Sequence, residues 1–155
     1  MQDIVKSITI NAPLLHVWSY LSEREKFEKW MLTMSGAPTL GETFYFRMTA
    51  AKDSEWDGEI KCHVTRMEPP NRLEFSWSHN ELAFAETLVS ISLAEVAGGT
   101  EVTLVHSGWD AIANEALRAY KHSDHNEGWD NHLRVWDELA TGVSDKSWMD
   151  RGGGC

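Results

Sequence analysis

Residues 128–142 read Gly128-Trp129-Asp130-Asn131-His132-Leu133-Arg134-Val135-Trp136-Asp137-Glu138-Leu139-Ala140-Thr141-Gly142. Trp129, Leu133, Trp136 and Leu139, with Ala140 beside them, recur at steps of three and four, the spacing of one stripe on an α-helix. Asp130, Arg134, Asp137 and Glu138 fall on the opposite face. A helix of about fourteen residues cannot bury two tryptophans by itself, so the preceding chain must supply a surface that receives it. The rest of the sequence predicts that surface to be a set of antiparallel strands curling around the helix, with a pocket left between.

The chain before this helix switches period twice. Ile4, Ile8 and Ile10 alternate with Val5, Ser7 and Thr9 as in a half-buried strand, with Lys6 interrupting the inner face. Asn11 and Pro13 are suited to opening a helix, and Leu14, Val17, Trp18 and Leu21 form an apolar stripe. Ser22-Glu23-Arg24-Glu25 reads as a capping box that starts a second short helix anchored by Phe27 and Trp30, and the two helices should meet as a V. Gly36, Pro38 and Gly41 mark a loop. Alternation then returns. Phe44, Phe46 and Met48 share one face; after a turn near Lys52-Asp53-Ser54, so do Trp56, Gly58, Ile60, Cys62 and Val64. The turn Pro69-Pro70-Asn71 precedes Leu73, Phe75 and Trp77, and His79-Asn80-Glu81 reads as another turn. A strand over residues 84–95 and its return over residues 100–107 flank Gly98-Gly99. Residues 110–121 look helical, with Ile112, Ala116, Leu117 and Tyr120 on one side, and the polar stretch 122–127 separates them from the terminal helix. The expected fold class is therefore α+β: a curved antiparallel sheet of about six strands wrapped around a long C-terminal helix, with two short helices after the first strand. Residues 1–143 are expected to form one domain and residues 144–155 a tail with Trp148 as its one anchor.

Composition narrows the partners. With 24 acidic against 14 basic side chains and a net charge of −10, the chain is expected to bind neither nucleic acid nor anionic lipid. No apolar run approaches the length of a membrane span, and no signal peptide is apparent. Two cysteines, Cys62 in a strand and Cys155 after three glycines, make no disulfide framework and suggest reduced thiols in a cytoplasmic protein.

The order of several short motifs resembles a known family. These are Ala12-Pro13 leading to Val17-Trp18, Gly41, Pro69-Pro70-Asn71-Arg72-Leu73, Phe75-Ser76-Trp77, Gly99-Thr100 before Val102-Thr103-Leu104, His106-Ser107-Gly108-Trp109, and Gly128-Trp129 with Leu133. Together they resemble the bacterial homologues of the activator of the heat-shock-protein-90 ATPase, in the START-like (SRPBCC) helix-grip superfamily, from about Ile4 to Thr141. The resemblance implies a helix-grip fold. Relatives include binders of hydrophobic small molecules, co-chaperone domains, toxin-resistance proteins and some polyketide cyclases, so the fold alone does not assign an activity. At this length the sequence is expected to lack the additional N-terminal domain of the eukaryotic co-chaperone, which lowers the co-chaperone reading; a stress-response or chaperone-interaction module is kept as an alternative, and a homodimer is left open.

The function this reading favours is binding of a small hydrophobic or amphipathic molecule between sheet and helix, without catalysis and without a cofactor. The residues placed around the ligand are Phe44, Phe46, Trp56, Ile60, Phe75, Trp77, His106, Tyr120, Trp129, His132, Leu133 and Trp136. For Phe44, Phe46, Trp56, Phe75 and Trp77, ordinary core packing is an equal reading. His106 lies on the apolar side of its strand and is either a pocket proton donor or, the favoured reading, a core histidine with its hydrogen bonds satisfied. The enzyme alternative, a cyclase- or hydratase-like activity, would use His106 or Tyr120 to relay a proton. His122, Asp124, His125, Asp130 and His132 lack the spacing of a recognised zinc site, and nothing around Ser107 signposts a nucleophile.

Overall fold

The computed structural model describes residues 2–48 and 58–142. Along them run β1 (Ile4–Ile10), α1 (Leu14–Ser22), α2 (Arg24–Trp30), β2 (Thr33–Met34), β3 (Thr43–Arg47), β4 (Glu59–Glu68), β5 (Arg72–Trp77), β6 (Thr87–Val96), β7 (Gly99–Ser107) and α3 (Glu115–Thr141). The strands make one antiparallel sheet in the order β1-β7-β6-β5-β4-β3-β2. Consecutive strands are neighbours throughout except at β1, which closes the far edge against β7 in the register Ile4 to His106 and Ile10 to Thr100. The sheet curls around α3, and a register shift between Val64 and Arg66 adds to the bend of β4.

Period-two burial explains why these segments are strands. In β7, Thr100, Val102, Leu104 and His106 are buried while Glu101 is exposed and Thr103, Val105 and Ser107 are half-buried. In β5 and β6 the inward residues Leu73, Phe75, Val89 and Ile91 are fully buried. The β6–β7 turn is Ala97-Gly98; Gly99 already belongs to β7, and a Cβ there would run into the carbonyl oxygen of Ile10. Glycine is needed at that position because the end of β1 passes directly over it.

Several expectations are corrected. The sheet has seven strands among the described residues, the additional one being β2, whose two residues pair with Arg47 and Phe46 and are too few to show alternation. β6 starts at Thr87 because Ala83 and Phe84 hold left-handed backbone angles, φ 54° and 59°. The capping box does not form: α1 runs through Ser22, and Glu23 alone separates it from α2, with no side-chain cap on either helix. Asn11 does not cap α1, which Pro13 precedes directly.

The largest correction concerns the C-terminal half. The helical insert and terminal helix are one continuous helix of 27 residues, capped by the Asn114 side chain, which accepts the Leu117 N–H at 2.9 Å. Residues 122–127 contain neither proline nor glycine, and their histidines turn towards the body of the protein, so the helix has no reason to break. Its inward stripe runs Leu117, Lys121, His125, Trp129, Leu133, Trp136 and Ala140. Tyr120, one position off that stripe, points outward and is 65% exposed. The loop from Ser107 to α3 instead holds a 3-10 turn, Trp109–Ala111.

α3 is fastened to the start of the chain along its whole length. His122 Nε2 donates to the Gln2 carbonyl, Asp130 pairs with Lys6, and His132 Nδ1 donates to the Trp30 carbonyl. His16 and Tyr20 reach the carbonyls of Ala140 and Leu139. Each of these contacts joins residues more than a hundred positions apart.

Candidate functional site

The sequence reading placed a ligand between sheet and helix; in the structure, aromatic rings occupy most of that space. Phe27, Trp30 and Trp136 form a three-ring stack, with centroid spacings of 5.1 Å and 4.5 Å. Phe44, Phe46 and Phe75 pack edge to face beside it. Leu133 and Trp136 are buried in the same core. Cys62 is fully buried, and burial pushes its thiol up, so it acts as a small hydrophobe.

His106 is a core histidine whose two ring nitrogens are both engaged. Trp129 Nε1–H donates to His106 Nδ1 at 3.0 Å, and His106 Nε2 lies 2.7 Å from Thr87 Oγ1. The Thr87 hydroxyl donates in turn to the Trp77 carbonyl at 2.8 Å. Since Nδ1 accepts, Nε2 must carry the proton, and the ring is neutral. Burial first, then the neighbouring His125, His79 and His122, hold its pKa well below the ordinary value. The bonding leaves this residue no vacant site for relaying a proton, and Tyr120 lies on the outside.

On α3, His125 and His132 are likewise held towards the neutral form by burial. His125 Nδ1 donates to the Lys121 carbonyl at 2.8 Å, and its Nε2 accepts from Trp77 Nε1–H at 3.3 Å. His79 Nε2 lies 3.4 Å away, the two rings nearly parallel. Burial, then His125 and Lys121, lower the pKa of His79 to about 3. Burial likewise lowers His125 and His132. His79 and His125 were missed as interior residues: the first continues the alternation of Phe75 and Trp77, the second the i, i+4 series Lys121, His125, Trp129. Among the described residues no group of three His, Cys, Asp or Glu side chains is arranged to hold a metal ion.

Where α3 leaves the sheet, beyond the histidine cluster, a cleft of ≈ 150 Å³ remains, lined by Leu32, Ile60, Trp77, Asp124, His125, Gly128, Trp129 and His132. Four of the residues singled out from sequence (Ile60, Trp77, Trp129, His132) meet there. Phe44, Phe46, Phe75, His106, Leu133 and Trp136 belong to the packed interior, and Trp56 lies outside the described residues, as do the 52–54 turn, Trp148 and Cys155. Gly128, read from sequence as a helix start, sits mid-helix in the cleft wall, and a Cβ built on it would meet nothing within 4 Å.

A family model described as Activator of Hsp90 ATPase homolog 1-like protein matches residues 11–141. The chain belongs to that family. Three similar proteins of known structure share the fold across nearly their whole length. Protein MLL2253 from Mesorhizobium loti superposes with a TM-score of 0.74 at 20% identity, covering 93% of this chain and 99% of that one. The Aha1 dimer from Colwellia psychrerythraea gives 0.72 at 23% identity, covering 91% and 97%. Protein BH1534 from Bacillus halodurans gives 0.71 at 26% identity, covering 90% and 97%. No protein with a curated description matches the chain. Within the Hsp90-activator-like family the long helix, the curled sheet and the paired short helices are thus the common frame. Among the described residues no helix is long and apolar enough to cross a membrane.

Proposed function

We propose that this Hsp90-activator-like chain reversibly binds a small hydrophobic or amphipathic molecule, one ring of which enters the cleft beside Gly128, and that it does so without catalysis. The observation that carries this reading is Gly128 itself. A glycine inside a helix costs about 1 kcal/mol relative to alanine. No neighbour requires one here, since the space over its Cα is open. What the missing side chain leaves is room beside the cleft residues Trp77, Trp129, Ile60 and Leu32. An apolar cavity of about 150 Å³ accepts one benzene ring, so the cleft matches a single aromatic group rather than a lipid chain. Burying such a ring contributes about 1.5–3 kcal/mol; a ring alone should bind no tighter than millimolar, with any remaining affinity coming from parts of the ligand outside the cleft. The engaged nitrogens of His106 and the outward position of Tyr120 support binding without proton relay.

The test is a titration with toluene followed by ¹⁵N-edited NMR. The Gly128 amide and the indole N–H resonances of Trp77 and Trp129 should move, and Gly128→Leu, which fills the cleft, should abolish the movement. Gly128→Ala should raise stability by about 0.5–1 kcal/mol, measured by urea unfolding. Unmoved resonances, or undiminished binding to Gly128→Leu, would refute the proposal. The Colwellia relative is described as a dimer; we extend that to this chain as a homodimer, to be checked by sedimentation.

A further inference from the structure

The outer face of the sheet, turned away from α3, carries a second depression. β4 sends Ile60, Cys62 and Val64 inward and Lys61, His63 and Thr65 outward. These three outward residues share a groove of ≈ 380 Å³ with Ser76 and Ser78 of the next strand and with Phe84 and Glu86 of the loop before β6. The groove has more than twice the volume of the cleft beside Gly128 and lies within the size range of small-molecule sites. Its floor is made of short side chains: Ser76 and Ser78 continue the outward phase of β5, yet they are only 9% and 7% exposed. The His63 N–H donates to the Ser76 hydroxyl at 2.9 Å, and His63 Nδ1 is hydrogen-bonded to the Thr43 hydroxyl at 3.0 Å, which ties floor to wall.

One wall is an aromatic ring held in an unusual way. Phe84 has φ 59°, a region that bulky residues avoid. The turn is fixed by the Phe84 N–H on the His79 carbonyl and the Ala85 N–H on the Leu82 carbonyl, both at 3.1 Å. It leaves the ring 68% exposed at the groove. Backbone strain of this kind persists only where neighbours fix it, and it collects at binding sites. The polar groups left over are of both kinds. Among the described residues no hydrogen bond or ion pair engages the Lys61 ammonium, the Glu86 carboxylate or the Ser78 hydroxyl. An ammonium only donates, a carboxylate only accepts and a hydroxyl does both.

We propose that this groove binds a sugar, a neutral polyhydroxylated ring that lays one C–H face on Phe84 and hydrogen-bonds through its hydroxyls to Lys61, Glu86 and Ser78. Sugar hydroxyls can meet donors and acceptors alike, and C–H groups are drawn to the negative face of an aromatic ring. A simple anion would gain at Lys61 and be repelled at Glu86, and a simple cation the reverse. An apolar ligand would cover three polar groups without pairing them. The site is independent of the cleft beside Gly128, which lies on the other face of the sheet.

The test is ¹⁵N-edited NMR of the full chain, titrated with the methyl glycosides of glucose, galactose, mannose and N-acetylglucosamine. At least one should move the His63, Ser76, Ser78 and Phe84 amides saturably and leave the Gly128 amide in place. Phe84→Ala should weaken that binding at least tenfold with the urea midpoint unchanged, since Ala83 already holds the same backbone angles. Glu86→Gln, also at an exposed position, should weaken it severalfold. If none of the four glycosides moves those amides, the site falls. If inorganic phosphate or free phenylalanine moves them at lower concentration than any glycoside, the groove stands and the sugar assignment falls. Glycoside binding indifferent to Phe84→Ala would overturn the stacking and the proposal with it. Groove amides that shift with protein concentration alone, and that no glycoside restores, would mark a contact between copies of the chain and overturn it too.

Discussion

Trp136→Ala should cost about 3–5 kcal/mol, the range for removing a fully buried large aromatic side chain. The indole is 0% exposed and stacks 4.5 Å from Trp30, which itself stacks on Phe27, so the truncation removes one slab of a three-ring pile joining α2 to α3. Against a total stability of about 5–15 kcal/mol this is a large fraction. The chemistry of the ring matters less than its bulk. Trp136 Nε1 is buried without a hydrogen-bond partner, so Trp136→Phe forfeits packing alone. Trp129→Phe is different, because it strips His106 Nδ1 of its donor and leaves a buried acceptor unpaired at a cost of about 1–3 kcal/mol. Urea unfolding of the three variants at pH 7.5 checks the order: alanine at 136 worst, phenylalanine at 136 mildest. A Trp136→Ala chain as stable as wild type would mean that the stack does not hold α2 against α3.

Mild acid should be nearly as damaging. His106 and His79, the second with a pKa of about 3, stay neutral in the fold, chiefly through burial, whereas in the unfolded chain each titrates near 6.5. Between those values the unfolded state binds more protons than the folded one, so stability is complete above pH 6.5 and falls as pH drops below it. His79 alone removes about 2 kcal/mol between pH 7 and pH 5, and the downward shifts of His106, His125 and His132 add to the loss. Carboxylates with ordinary affinity for protons contribute little in that window. Chemical denaturation at half-unit steps from pH 7.5 to 5 should show the decline, and His79→Gln should make it shallower. A flat profile would contradict the neutral, buried state of the cluster.

How much of this was legible in the sequence varies by element, for identifiable reasons. The alternation of Val102, Leu104 and His106, and of Leu73, Phe75 and Trp77, is a direct imprint of a sheet with one buried face, and the stripe of Trp129, Leu133, Trp136 and Ala140 is an equally direct imprint of a helix gripped by it. The continuity of α3 was hidden because His122, Asp124 and His125 read as polar linker residues; only the cross-chain partners Gln2, Trp77 and Trp109 make histidine an inward residue there. The same holds for the site. Sequence identified four wall residues, Ile60, Trp77, Trp129 and His132, by their apolar or inward phase. It could not show that Trp30 and Trp136 would fill the space between, because that depends on the separation of helix and sheet, which no periodicity encodes. Nor could it single out Gly128, which by spacing looked like a terminus.

The fastening of α3 to the first thirty or so residues decides when this protein can fold. A chain still being synthesised and stopped short of Glu115 has β1 through β7 but none of the helix whose Trp129 packs on Trp77 and whose Trp136 packs on Trp30. Its contacts of longest sequence range close last, a topology that slows folding and leaves an aromatic surface open to aggregation meanwhile. Emergence of the final helix from the ribosome is therefore the event that releases the chain from that exposed state.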